Sequence, residues 1–170
     1  MTNALFQEKQ RFNQKWLIAL LAIPVIIGFW GFVQQILLGE PFGNNPASNL
    51  GLIISLFLPV VIVAFIFFLN LNTRIDKTGI TYQFRPVHRK EQIIKWEEVS
   101  CAYVRKYKPI IEYGGWGFRH GRKGKALNTS GNMGLQIEFV NGKNLLIGTQ
   151  KPEELERVLQ KLEIKGKSAH

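Results

Sequence analysis

WLIALLAIPVIIGFWGFVQQILL, Trp16 to Leu38, runs for 23 residues without a charge, and LGLIISLFLPVVIVAFIFFLNL, Leu50 to Leu71, runs for 22 more. A helix rises about 1.5 Å per residue, so each run spans roughly 33 Å as a helix, enough to cross a hydrocarbon core of about 30 Å. Helices in soluble domains are usually shorter and carry a polar stripe. Here only Gln34, Gln35, Ser55 and Asn70 are clearly polar. The pattern predicts a transmembrane helical hairpin over residues 16–71, with spans 16–38 and 50–71. Residues 1–15 then read as a cytoplasmic N-terminal tail.

A mean hydropathy near zero conceals this division. Residues 72–170 hold 19 of the 22 Lys and Arg and 10 of the 12 Asp and Glu, a net charge of +9. Basic residues also set the expected orientation. Lys9, Arg11 and Lys15 precede the first run, and Arg74, Lys77, Arg85, Arg89 and Lys90 follow the second. Between them, Gly39 to Asn49 has no basic residue. Basic flanks stay on the cytoplasmic side, so both termini are expected in the cytoplasm of a multi-pass inner-membrane protein. The first run is too long for the apolar core of a cleaved signal peptide. Neither run contains an ionisable group of the kind that lines ion paths, which argues against a transporter. Gly28 and Gly31 are three apart, so GxxxG packing is absent. Pro24 and Pro59 fit bent helices packed on each other.

Beyond residue 72 the periodicity shortens to two. Ile80, Tyr82 and Phe84 alternate with Thr81 and Gln83. Similar alternation recurs over Gln92–Trp96, Cys101–Tyr107 and Leu135–Phe139. Asn141-Gly142 fits a two-residue type I′ hairpin turn. The last element reads as a helix: Pro152 suits its first turn, Glu153 and Glu154 suit its positive end, and Leu155, Val158, Leu159 and Leu162 form one apolar face. Six or seven half-buried strands closed by one amphipathic helix make an α+β membrane protein with an antiparallel β-domain at 72–163 and a tail at 164–170.

IIKWEEV (Ile93 to Val99), EYGGWGFR (Glu112 to Arg119) and IGTQKPEELERVLQKL (Ile147 to Leu162) resemble segments of bacterial pleckstrin-homology-like (PH-like) two-span membrane proteins. The resemblance covers about residues 72–163, with the hairpin where that family places it. It implies a PH-like fold, two sheets capped by a C-terminal helix, and no catalytic residues.

Pro109 to Gly134 is the least regular part of the domain and reads as a long loop. It holds Tyr113, Trp116 among three glycines, and the cations Arg119, Arg122, Lys123 and Lys125. One reading makes these residues a binding site, an aromatic wedge beside cations suited to anionic headgroups or a protein partner. The other buries Trp116 and leaves a solvated basic loop. Gly121-Arg-Lys-Gly-Lys125 lacks the spacing and hydroxyl of a phosphate loop. Cys101 is the sole cysteine, and His88, His120 and His170 are scattered, so neither a disulfide nor a metal site is expected. No paired carboxylates stand at catalytic spacing. Asn128-Thr-Ser130 matches a glycosylation sequon, which carries no meaning on the cytoplasmic side. The charge finds a simpler use at a bilayer than on nucleic acid. The expectation is a binding or scaffold module without a cofactor, not an enzyme. The alternative is a small subunit of a larger membrane complex held by its two spans.

Overall fold

The computed structural model describes residues 4–12, 15–121 and 123–164, arranged as two compact units: 14–68, and 1–13 together with 69–170. The first unit is the helical hairpin. Helix α1 (Lys15–Phe32) continues into a π-helical turn, Val33–Leu37, and α2 covers Asn49–Phe68. Among the described residues, two helices are long and apolar enough to cross a membrane, Trp16–Leu37 of 22 residues and Asn49–Phe68 of 20.

Small residues bring these helices together. A Cβ on Gly28 would lie 3.1 Å from Ser55 Oγ, and one on Gly31 would lie 2.9 Å from Phe42 Cδ1. Gly28 and Gly31 therefore face α2 and the turn even though their spacing is not GxxxG. Gln35 ties the turn, its Nε2 donating to Ala47 O at 2.7 Å and to Asn49 Oδ1 at 2.8 Å. Ser48 caps α2 by accepting from Gly51 N at 3.1 Å. The second apolar run stops being helix at Phe68. Asn70 already begins a strand, and Leu71 is wholly buried in the β-domain. An inward strand position is as apolar as a lipid-facing one, so hydropathy alone set this boundary three residues too late.

Among the described residues the second unit holds nine strands and two α-helices. Strands β1 (Phe6–Arg11), β2 (Asn70–Ile75), β3 (Gly79–Arg85) and β4 (Gln92–Lys95) form one antiparallel sheet in that order. The other sheet has the order β5-β8-β9-β7-β6, from β5 (Val99–Lys106), β6 (Gly117–Gly121), β7 (Gly124–Asn128), β8 (Met133–Phe139) and β9 (Asn144–Gly148). Its β7–β9 pair is parallel, so the domain is mixed rather than purely antiparallel. The short helix α3 (Pro109–Tyr113) precedes β6, and α4 (Pro152–Lys161) closes the domain. One apolar core joins both sheets and α4, with Phe6, Leu71 and Phe84 from the first sheet, Leu135 and Ile147 from the second, and Leu155 and Leu159 from the helix.

Three further expectations change. Residues 6–11 are a strand of the domain rather than a tail, paired with β2 from Phe6↔Ile75 to Arg11↔Asn70. The hairpin thus interrupts the β-domain between its first and second strands. The β8–β9 turn is closed by Phe139 and Lys143 with three residues between them: Gly142 N donates to Phe139 O, Phe139 N donates to Lys143 O, and Gly142 alone takes positive φ, at 77°. That is a turn with a glycine bulge, because Asn141 stays out of the left-handed region that type I′ requires. The loop from 109 to 134 is mostly ordered structure, a helical turn and a β-hairpin.

Candidate functional site

Pro109 starts α3, where its missing N–H costs nothing, and Gly114 ends it with φ 73°. Gly114 N and Gly115 N donate back to Ile110 O and Pro109 O at 2.9 and 3.0 Å. The glycines around Trp116 thus serve backbone conformation: Gly115 and Gly117 also have positive φ, at 123° and 114°. Tyr107 and Tyr113, the last residue of α3, are buried with rings edge-to-face at 6.1 Å. Burial pushes the Tyr107 phenol up to about 12 and raises Tyr113 as well. Tyr113, expected as a binding residue, is a core residue of this corner.

Glu112 organises the polar side of the corner. Its Oε2 accepts from Arg105 Nη2 at 2.9 Å and meets Lys123 Nζ at 3.4 Å, while Oε1 accepts from Lys108 N at 2.8 Å. Burial pushes its carboxyl up, but the Arg105 hydrogen bond, the Lys108 N–H and the two cations outweigh this and hold it down at about 2. Arg105 in turn stays firmly protonated: burial works against its charge, and Glu112 overcomes it. Trp116 fits neither sequence reading fully. It is half-buried, and its Nε1 donates to Gly131 O at 2.9 Å.

Together these groups frame an open cleft of about 1020 Å³, lined by Lys106, Lys108, Ile110, Ile111, Trp116 and Lys123 among others. Ile110 and Ile111 are 66% and 79% exposed. The predicted cations do not act as one cluster. Arg119 Nε donates to Trp116 O at 3.0 Å, Lys123 pairs with Glu112, and Arg122 lies outside the described residues. Lys125 helps line a second cavity of about 460 Å³ with Tyr82, His120 and Lys143, and Lys123 lines both cavities. Sequence reading missed Arg105, Glu112, Ile110 and Ile111. The signal for α3 was present in Pro109 and Gly114, but a five-residue helix has too little periodicity to register.

His88 and His120 sit in an edge-to-face aromatic row with Tyr82 and Phe118, at 5.6 to 5.8 Å. Burial, then the charge of Lys125, lowers the His88 pKa. Cys101 is half-buried in β5. Asn128 of the sequon is wholly buried, its Nδ2 donating to Tyr107 Oη at 2.9 Å. Among the described residues no group of three or more His, Cys, Asp or Glu is placed to hold a metal ion. Comparison of the chain with protein-family models gave no match, and neither did comparison with curated proteins.

Proposed function

We propose that this chain is a two-span inner-membrane protein whose PH-like domain faces the cytoplasm and serves as a binding or scaffold module for a protein partner, with anionic lipid as a secondary ligand. The observation that carries the reading is the insertion of two long apolar helices between adjacent strands of one β-domain. Such a chain tethers a recognition surface to a bilayer through two covalent connections. The exposed isoleucines beside Trp116 and three lysines support recognition, since contiguous exposed apolar surface rimmed by polar groups marks interaction sites.

The test is purification of the intact protein from membranes washed with alkaline carbonate. Retention in the membrane and a co-purifying partner that is lost with the β-domain are expected. A partner that remains with residues 14–68 alone would instead make the chain a subunit held by its spans. Release by carbonate would overturn the membrane reading.

A further inference from the structure

The cleft beside α3 has features that neither tethering nor the β-fold requires. Two adjacent isoleucines on a five-residue helix point their surface to solvent, at 66% and 79% exposure. Half-buried Trp116 lines the same cleft. Aromatic anchors in such settings dominate binding energy at protein interfaces. The frame is also rigid. Arg105 and Glu112 bond at 2.9 Å, the Trp116 indole is held by Gly131 O, and Tyr107 and Tyr113 are buried. A preorganised surface loses little freedom on binding.

Charge selects the occupant. Lys106, Lys108 and Lys123 line the cleft, and the one carboxylate among the described lining residues, Glu112, is already paired with Arg105 and Lys123. At about 1020 Å³ the cleft exceeds what a single ion fills and sits at the top of the range of roughly 300–1,000 Å³ for small-molecule sites. A neutral or basic segment would desolvate lysines without giving them partners.

We propose that this cleft docks an acidic, amphipathic segment of a protein partner. Its apolar side chains pack on Ile110, Ile111 and Trp116, and its carboxylates meet Lys106 and Lys108. This rests on the binding-module reading and names the chemistry of the partner.

The experiment uses the full chain in its native membrane, with the photo-crosslinking residue p-benzoylphenylalanine replacing Ile111 and, separately, Lys143 beside the other cavity. Crosslinks from position 111 to a peptide of another protein, sequenced and found to interleave Asp or Glu with apolar residues, are expected. Adding Lys106→Glu and Lys108→Glu should cut the yield about tenfold or more, and arginine at both positions should preserve it. Both lysines are exposed, so an unchanged melting temperature verifies that the fold survives. Crosslinks to lipid alone, to copies of this chain alone, or to a segment without acidic residues would each overturn the inference. A partner captured from position 143 but not 111 would overturn it while leaving the binding-module reading intact. Capture from neither position would remove both.

Discussion

Glu112 shows how one side chain sets the pH response of its corner. Its carboxyl is held at about 2 against an ordinary value of 4.5, so its contribution is a depressed-pKa one. That stability is fully present above about 4.5 and is lost as pH falls toward 2. Acid unfolding of the wild type should therefore steepen across this window, and Glu112→Gln should be flatter there. At neutral pH the same variant should lose about 2 kcal/mol, since it leaves Arg105 partly buried with a weaker partner. Denaturant melts at pH 7 and pH 3 check both, and an equal cost at the two values would refute the assignment. Trp116 gives a second residue-scale test. Losing a fully buried Trp costs about 3–5 kcal/mol. A half-buried one with a single hydrogen bond to Gly131 O should cost about 1–2 kcal/mol. A larger loss on Trp116→Ala would make it a core residue instead.

Strand β1 carries the main lesson about elements. Phe6, Glu8 and Gln10 point inward, and two of the three are polar. Glu8 accepts from Thr149 Oγ1 at 2.7 Å and from Gln150 N at 2.8 Å. Gln10 Nε2 donates to Gly148 O at 2.6 Å, and its Oε1 accepts from Thr129 Oγ1 at 3.1 Å. Hydrogen bonds satisfy the inward face, so no apolar alternation announces the strand. A fragment of residues 72–164 lacks all three side chains and Leu71. It should be poorly folded, with weak near-ultraviolet circular dichroism. Joining 4–12 to 69–164 through a short flexible linker should restore cooperative unfolding, because Arg11 and Asn70 are already paired neighbours. Equal cooperativity in the two fragments would show that β1 is dispensable.

At the scale of the molecule, two apolar helices are spliced into a basic β-domain. In the proposed orientation the turn 39–49, which lacks basic residues, lies outside and both termini lie inside. Cysteines at Ser48 and Ser168 in a Cys101→Ser background should differ on intact cells: an impermeant thiol reagent should label position 48 and spare 168. The reverse pattern would invert the topology.

The two long apolar helices, the charge partition and the closing helix were legible in the residues because each rests on local periodicity or composition. Hydropathy over some twenty residues, alternation along β3 and β8, and the i, i+3, i+4 leucines of α4 need no knowledge of distant partners. Strand β1, the end of the second apolar helix, the β6–β7 hairpin and the cleft beside α3 were decided by tertiary structure alone. Their side chains find partners far along the chain: Gln10 bonds to Gly148 and Thr129, Leu71 enters a core shared with α4, and β7 pairs in parallel with β9. Arg105, Glu112 and Lys123 make one network because β5, α3 and the β6–β7 turn meet in space, and no local pattern encodes that meeting.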